Sequence, residues 1–189
     1  EDYVKGVVAG EMPLNFNPEA LKAQAVAART YALRRISDTN TYDVVDTVMN
    51  QVFIDNDTLK TKWGASYDYY MEKINNAVSS TLGEYVDYKG TYADTLFFST
   101  STGFTENSEE IFGSKVSYLQ SVNSYWDEEE SPVYEEINTF TRDEFCNLLD
   151  LSNCEVINVY IESQTTTGRV KKVTINNKNF TGSQVAYYL

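Results

Sequence analysis

An alanine-rich segment, NPEALKAQAVAARTYALRRI at residues 17–36, constrains the fold of this chain more than any other feature. Asn17 suits the N-cap of a helix, Pro18 fits its first turn, and Glu19 complements its positive end. Apolar residues recur at helical spacing, and the many alanines predict a buried helix that packs closely against its neighbours. The predicted stripe consists of Leu21, Ala25, Ala28, Ala32 and Ile36.

A second helix is predicted ahead of this segment, in DYVKGVVAGEM at residues 2–12. Pro13 restricts Met12 and should end the helix there. Gly6 and Gly10 weaken the helix, but they allow another element to approach it closely. The helical spacing is carried by Val4, Val7, Val8 and Met12.

The rest of the N-terminal half predicts a third helix and a hairpin. Residues 40–57 indicate irregular structure or a short strand, because Asp and Asn are frequent there. The apolar spacing of residues 64–82 predicts a helix that Gly83 stops. Two alternating segments within residues 84–99 predict a hairpin that turns at Lys89-Gly90.

The C-terminal part is predicted to be rich in strands. Residues 123–136 are acidic and indicate a loop, and TRDE at residues 141–144 is the pattern of a capping box that opens a short helix. The segments EVINVYIES and VKKVTIN predict strands, with a turn at Asn176-Asn177, and a last short helix is predicted from Ser183.

Helices that come first and hairpins that come later favour an α+β fold over alternating βαβ units. The predicted architecture is a set of N-terminal helices packed with antiparallel hairpins, followed by a β-rich C-terminal part. The length of 189 residues suits one domain, residues 1–189, in which residues 123–150 can form an inserted or acidic lobe.

The composition excludes several classes of function. The chain has no histidine, which removes Ser-His-Asp and Cys-His catalysis and every histidine-ligated metal site. Its net charge of −13 argues against a nucleic acid partner, because binding phosphates requires lysine and arginine. Cys146 and Cys154 can form a small disulfide or remain free thiols. No apolar run is long enough to span a membrane.

Glu11 is the strongest candidate for a catalytic residue. It lies four residues after Val7 and three after Val8, so it shares the apolar face of the predicted first helix. A carboxyl group in apolar surroundings keeps its proton more readily, which suits a general acid. The alternative is a glutamate at a fraying helix end that turns into water.

Two further sets of polar residues are candidates for substrate binding. Gln24 and Tyr31 share a face of the alanine-rich helix, with Arg29 nearby, although each can equally be a surface or core residue. The loop from Ser99 to Asn107 is dense in hydroxyl groups and contains Gly103, which suits close approach of the backbone to a ligand. It can equally be a capped turn.

Four segments of the chain resemble the SpoIID/LytB domain family of spore-forming bacteria. They are YVKGVVAGEMP, ALKAQAVAARTYA, FFSTSTGFTENSEEIFG and TGRVKKVTINNKNFTG, and the resemblance extends over nearly the whole chain. The resemblance implies a lytic transglycosylase of peptidoglycan, which cleaves between N-acetylmuramic acid and N-acetylglucosamine and leaves a 1,6-anhydro end. The glutamate of the family's GEMP-type motif is its catalytic acid, and here that residue is Glu11.

Polar residues are candidates for supporting roles, and a departure from the family's pattern leads us to expect no metal; no cofactor is expected. Gln51 is retained within VDTVMNQVF, whereas Val45, Met49 and Asn50 stand where many relatives have Cys and His residues, so no zinc is expected. Hydroxyl groups of the loop are expected to stabilise the transition state, Asn107 to hold an N-acetyl group, and Gln24 and Arg29 to position Glu11 or the sugar. The candidate substrate-binding residues are Gln24, Arg29, Tyr31, Gln51, Ser99, Ser101, Thr102, Gly103, Thr105 and Asn107.

The family further implies a membrane anchor N-terminal to the domain, a cellular location and a set of partners. The expected substrate is peptide-stripped glycan at the engulfing membrane of a sporulating cell, and the expected partners are an amidase and a membrane protein. The alternative function is a non-catalytic module that grips glycan and stimulates an amidase. A third alternative is an acidic domain that only docks a partner.

Overall fold

The computed structural model describes residues 1–39 and 41–189, which form two compact units, Glu1–Phe97 and Phe98–Leu189. The first unit is mainly helical, and the second contains a three-stranded antiparallel sheet, so the predicted α+β class is confirmed. The prediction of one domain with a lobe at residues 123–150 stays a prediction. In the structure, that segment belongs to the second unit.

Three helices form the core of the first unit: α1 (Asp2–Glu11), α2 (Pro18–Arg35) and α4 (Tyr67–Ser80). As predicted, Asn17 caps α2, and its side chain accepts a hydrogen bond from the Glu19 N–H. No helix in the described part of the chain is long and apolar enough to cross a membrane. The shared core contains Val4, Val7, Val8, Leu21, Ala25, Ala28, Ile74, Ala77 and Val78.

The buried stripe of α2 is shorter than predicted. Leu21, Ala25 and Ala28 are at most 1% exposed, but Ala32 is only half-buried and Ile36 is 60% exposed. Helical spacing shows which side chains share a face, but only the neighbouring elements decide how far along the helix that face is covered.

The region between α2 and α4 contains a helix that the sequence pattern did not reveal, α3 (Asn56–Trp63). Asp55 begins it by accepting hydrogen bonds from the N–H groups of Asp57 and Thr58. A short 3-10 turn, Gly64–Ser66, separates α3 from α4. The mainly polar composition of α3 hides its helical period. The irregular structure predicted for the preceding residues is confirmed for residues 41–55, and residue 40 lies outside the described residues.

A short hairpin closes the first unit. Strands β1 (Asp87–Tyr88) and β2 (Thr91–Tyr92) pair in antiparallel register around Lys89-Gly90, and both turn residues have positive φ. The predicted turn is therefore correct, but the strands are much shorter than the alternating pattern indicated.

The second unit begins with three short helices, α5 (Ser108–Phe112), α6 (Trp126–Glu130) and α7 (Arg142–Leu148). The predicted capping box of α7 is present, with Thr141 and Glu144 bonded reciprocally. Helix α6 lies in the acidic segment for which a loop was predicted, so that part of the prediction is wrong.

The sheet of the second unit has the order β3 (Val159–Gln164), β4 (Val170–Ile175), β5 (Lys178–Thr181). Helix α8 (Gly182–Tyr188) follows β5, close to the predicted start. The β4–β5 turn at Asn176-Asn177 has positive φ at both residues, as a tight hairpin turn requires. A small core beneath the sheet contains Leu149, Val173, Ile175 and Phe180.

A disulfide joins Cys146 of α7 to Cys154, eight positions later in the chain. Of the two alternatives that the sequence left open, the structure has the bonded one. The bridge ties the end of α7 to the segment that leads into β3. Closing a loop of this size removes conformational freedom from the unfolded chain.

Reduction of this disulfide should lower the free energy of unfolding of the second unit by about 2–3 kcal/mol. Because each unit contains one tryptophan, Trp63 or Trp126, a Trp63→Phe variant reports the second unit by fluorescence during urea unfolding. A Cys146→Ala/Cys154→Ala variant serves as the control, since reductant should not change its stability. Equal stability of the parent with and without reductant would contradict the expectation.

Candidate functional site

The two glycines of α1 allow an extended segment to lie directly against the helix. A Cβ at Gly10 would be 2.5 Å from the Val52 carbonyl oxygen, and a Cβ at Gly6 would be 2.8 Å from that of Ile54. The Ile54 N–H donates to the Gly6 carbonyl at 3.2 Å. The predicted close approach is therefore confirmed, and the element that approaches is the segment at residues 50–54.

Glu11 is the last residue of α1 and contacts this segment. The Val52 N–H donates to Glu11 Oε1 at 2.6 Å, and the side chain is half-buried. No hydrogen bond to Oε2 is found among the described residues. One oxygen is therefore fixed by the main chain, and the other is available to a ligand.

The two residues before Val52 contact the helices through their side-chain amides. Asn50 Nδ2 donates to Tyr31 Oη at 2.9 Å, and Gln51 Nε2 donates to Tyr3 Oη at 3.0 Å. Burial is the main cause of a raised pKa at Tyr3, and the charge of Glu11 contributes to the same shift. Three consecutive residues therefore bind three helix side chains, and two of these are the predicted site residues Glu11 and Tyr31.

Two predicted site residues carry buried amide atoms that lack partners in the described part of the chain. Gln51 is fully buried and its Oε1 has no hydrogen bond, although its Nε2 also approaches the Ala28 carbonyl at 3.4 Å. Gln24 is 8% exposed and its Nε2 is unpartnered. Each such atom carries a desolvation cost of about 1–3 kcal/mol.

Asn50 also organises the segment in which the sequence predicts no zinc. Its Oδ1 accepts a hydrogen bond from the Val45 N–H at 2.9 Å, while Met49 is 83% exposed. The Asn50 side chain thus links residue 45 to Tyr31 of α2. The expectation that this region holds no metal stays a prediction.

The Arg29 guanidinium makes several structural contacts in the first unit. It is paired with the Glu1 carboxylate at 2.8 Å and donates to the Glu84 carbonyl at 3.0 Å. Its side chain is 7% exposed. Hydrogen bonding to Arg29 is the main reason that the pKa of Glu1 is lowered. The contacts found for Arg29 in the described residues do not include Glu11, and its predicted substrate role remains a prediction.

The hydroxyl-rich loop lies in the second unit and is held from inside by Ser101. Its N–H donates to Asp127 Oδ2 at 2.7 Å, and its hydroxyl is bonded to the Ser124 hydroxyl. Gly103 has a φ of +96° and its N–H donates to Ser101 Oγ at 3.1 Å, so this position needs the conformational freedom of glycine. Ser101 is 6% exposed and supports the loop.

Thr105 and Asn107 are also engaged in contacts within the second unit. Thr105 Oγ1 accepts from the Val122 N–H at 2.9 Å, and Asn107 Oδ1 accepts from the Ser121 N–H at 2.9 Å. Asn107 Nδ2 donates to Thr166 Oγ1 at 3.1 Å. The Asn107 amide is thus occupied on both sides, and its predicted contact with an N-acetyl group stays a prediction.

Ser99 and Thr102 are the exposed hydroxyl residues of the loop. The Ser99 hydroxyl is bonded to the hydroxyl of its neighbour Thr100 at 3.1 Å, and no other hydrogen bond of the Ser99 hydroxyl and none of Thr102 is found in the described residues. Of the predicted loop residues, these two therefore present hydroxyl groups to solvent, while Ser101 and Thr105 hold the loop in shape.

Sequence reasoning missed the main-chain N–H of Val52, the hydroxyl of Tyr3 and the carboxylate of Asp127. A main-chain donor has no sequence signal, although Gln51 beside it was singled out. Tyr3 lies eight residues before Glu11 and so resembles a packing residue. Asp127 belongs to an acidic run whose members look alike in the sequence.

Comparison with known proteins agrees with the family resemblance of the sequence motifs. Residues 1–88 match the model of the SpoIID family, described as Stage II sporulation protein. Over 98% of its length, the chain is 41% identical to Stage II sporulation protein D of Bacillus subtilis and 40% identical to that of Bacillus amyloliquefaciens. The chain belongs to the SpoIID family.

Other comparisons qualify how far the SpoIID similarity extends. The chain spans about half of each of these relatives, covering 56% of their length. An amidase enhancer of Bacillus subtilis is 39% identical over 116 residues, which are 61% of this chain and 14% of that protein. The SpoIID match in residues 1–88 contains Glu11 and the whole segment at residues 50–54.

Gly10→Ala should destabilise the first unit and reduce any activity that depends on Glu11. Alanine gains about 1 kcal/mol of helix propensity, but forcing a Cβ to 2.5 Å from a backbone oxygen costs about 2–3 kcal/mol, in the upper part of the range for overpacking. We expect a net loss of about 1–2 kcal/mol in urea unfolding. Lys5→Ala on the same helix is the control and should change stability by less than about 0.5 kcal/mol. A Gly10→Ala protein as stable as the parent would refute the close packing.

The contact between Asp127 and Ser101 should fail in acid. Hydrogen bonds from Ser101 are the main cause of the lowered pKa of Asp127. A lowered folded pKa means that the carboxylate stabilises the fold above its unfolded pKa, and that this contribution is lost as the pH falls through the folded value.

The Ser101 amide signal should therefore move in NMR spectra as the pH falls below about 4, the ordinary pKa of an aspartate. In Asp127→Asn, which cannot titrate, the acid-induced movement should disappear. An identical movement in both proteins would mean that Asp127 is not the group responsible.

Proposed function

We propose that this SpoIID domain is a peptidoglycan lytic transglycosylase in which Glu11 is the catalytic acid and base. The observation that supports this most directly is the asymmetry of its carboxyl group: Oε1 is bonded to the Val52 N–H, while Oε2 has no partner among the described residues. Because an acceptor lone pair of Oε1 is already in use, a proton on this group resides on Oε2. The proton is then available to a bound substrate.

One carboxyl group is enough for the proposed reaction. Oε2 donates its proton to the oxygen that bridges C1 of N-acetylmuramic acid to C4 of N-acetylglucosamine, and the C1–O bond breaks. The 6-hydroxyl oxygen of the muramic acid residue then bonds to C1, and its proton passes to the Glu11 carboxylate. The products are a free 4-hydroxyl and a 1,6-anhydro end, and no water is consumed. A hydrolase, by contrast, generally needs a second carboxylate to activate water or to attack.

The surroundings of Glu11 suit a group that both gives and accepts a proton. Its position at the C-terminal end of α1 disfavours a negative charge, because the helix dipole is negative there. The Val52 N–H favours the same charge by donating to it. Oε2, which has no partner among the described residues, is the atom that carries out both proton transfers in the proposed reaction.

We also propose that Ser99 and Thr102 contact the glycan with their hydroxyl groups, with Ser101, Gly103 and Thr105 shaping the loop behind them. The support for these roles is that Ser99 and Thr102 are exposed, whereas Ser101 and Thr105 are hydrogen-bonded within the second unit. Gln24, Tyr31 and Gln51 are the proposed substrate-binding residues of the first unit. The observation behind the two glutamines is that Gln24 Nε2 and Gln51 Oε1 are buried without a partner among the described residues.

The proposed setting is the septal wall of a sporulating cell, on the outer side of the membrane, with an amidase and a membrane protein as partners and an N-terminal anchor. Two observations support it. Similarity to Stage II sporulation protein D links the chain to sporulation, and a disulfide is typical of proteins outside the reducing cytosol.

An alternative function is a glycan-binding module that stimulates an amidase without cleaving the glycan. The similarity to an amidase enhancer over 116 residues favours it. The two functions differ in one respect that can be measured: only the enzyme produces anhydro ends.

Glu11→Gln should reduce cleavage of purified, peptide-free glycan by at least about 100-fold, because the general acid is lost. Products are identified by mass spectrometry, where an anhydro end is lighter than a reducing end by one water. Glutamine keeps an oxygen that can accept from the Val52 N–H, so binding of glycan and stability should be retained. Lys5→Ala serves as the control of unchanged activity.

Three outcomes would count against the proposal. Reducing ends in place of anhydro ends would indicate a hydrolase with a second carboxylate. Full activity of Glu11→Gln would remove Glu11 from the mechanism. Intact glycan with the parent protein, together with retained binding and faster amidase activity, would favour the stimulating module.

A further inference from the structure

A polar cavity of about 400 Å³ lies on the outer face of the sheet in the second unit. Its floor is formed by Tyr160 of β3 and Thr174 of β4, which are paired directly across the two strands. Val173 and Ile175, on either side of Thr174, point into the core, so Thr174 and Tyr160 face outwards. Residues 152–158 form one wall of the cavity, and the turn at Asn176-Asn177 forms another.

The walls are fixed by contacts that leave most of the lining groups unused. Asn176 Nδ2 donates to the carbonyl of Val156 at 3.0 Å and also to that of Asn153, while Asn176 Oδ1 accepts from the Asn158 N–H at 2.8 Å. The disulfide at Cys154 holds the same segment to α7. One asparagine and one disulfide therefore hold the segment in shape, and the cavity does not have to be ordered when a ligand binds.

Several hydrogen-bonding side chains converge on the cavity without a partner in the described residues. The Asn153 side chain uses only its oxygen, which accepts from the Glu155 N–H at 3.2 Å. The groups with no hydrogen bond of their own are the side chains of Ser152, Glu155, Asn158, Tyr160 and Asn177. Amides and hydroxyls that both donate and accept are suited to a ligand carrying many hydroxyl groups.

The charge and shape of the cavity narrow the class of ligand. The cavity lining contains no lysine or arginine, and its one charged side chain is Glu155, so an anionic ligand would be repelled. Tyr160 is 69% exposed and offers a ring face on which a sugar ring can lie. Val156 is 65% exposed at the rim and provides an apolar contact for a methyl group.

We propose that this cavity binds an uncharged acetamido sugar, the N-acetylglucosamine residue of the glycan, as a second point of attachment on the unit that does not contain Glu11. The inference rests on the proposed function for the identity of the polymer, but not for the chemistry of the cavity. It predicts that the cavity distinguishes between the two alternating sugars of the glycan. N-acetylmuramic acid stripped of its peptide carries a carboxylate, which Glu155 disfavours, whereas N-acetylglucosamine is neutral.

The test uses the full chain with Glu11→Gln, so that no bond is cleaved, and chitotetraose, an oligomer of N-acetylglucosamine, as the probe. Amide signals of residues 152–160 and 174–177 should shift on titration in NMR spectra. Asn158→Ala and Tyr160→Ala should each raise the Kd at these signals about threefold to tenfold. Tyr187→Ala, which removes an 85% exposed tyrosine elsewhere in the same unit, is the matched control and should leave the Kd unchanged.

A second measurement tests the discrimination. Free N-acetylmuramic acid should bind at these signals more weakly than N-acetylglucosamine, and Glu155→Gln should reduce the difference. Shifts confined to residues 1–97, or equal effects of Tyr160→Ala and Tyr187→Ala, would overturn the inference. Loss of cleavage in Glu11→Gln without shifts at the cavity would refute the inference alone. Shifts at the cavity with cleavage retained in Glu11→Gln would refute the proposed role of Glu11 alone.

Discussion

The hydrogen bond from the Val52 N–H to Glu11 depends on how closely the segment at residues 50–54 approaches α1. That approach is possible because α1 has no side chain at Gly6 or Gly10, where a Cβ would overlap carbonyl oxygens of the segment. Helix α1 gives up about 1 kcal/mol of propensity at each glycine. In return, the main chain of the segment reaches the helix surface and fixes the one carboxyl group on which the proposed chemistry depends.

The same segment explains why polar groups are buried around Glu11. Asn50, Gln51 and Val52 bind Tyr31, Tyr3 and Glu11 in turn, so a shift of the segment would disturb all three contacts. Buried polar groups normally find partners, and the orphan atoms of Gln24 and Gln51 depart from that rule. Such departures concentrate where a protein sacrifices stability for function. Arg29 shows the opposite behaviour, because its guanidinium is satisfied by a carboxylate and carbonyl groups.

The two units contribute different chemistry. The first unit contains Glu11 and the residues that match the SpoIID family model. The second unit contains the hydroxyl-rich loop, the amide-lined cavity and the disulfide. In the hydroxyl-rich loop, Ser101 and Thr105 bind within the unit, whereas Ser99 and Thr102 are exposed. The amide-lined cavity near Cys154 follows the same logic, since Asn176 holds the walls, while the side chains of Asn158 and Asn177 have no hydrogen bond among the described residues. In both places, a few engaged side chains hold the segment that carries the proposed glycan contacts.

The sequence by itself determined the local structure and the candidate residue. The cap at Asn17, the capping box at Thr141, the turns at Lys89-Gly90 and Asn176-Asn177, and the position of Glu11 on the apolar face of α1 depend on residues only a few positions apart. Contacts between distant residues were decided only by the tertiary structure. Val52 is 41 positions from Glu11 and Arg29 is 28 from Glu1, and no local pattern selects such partners. Caps and turns are set by the geometry of adjacent peptide units, whereas the donor that meets a given carboxylate depends on how whole elements pack.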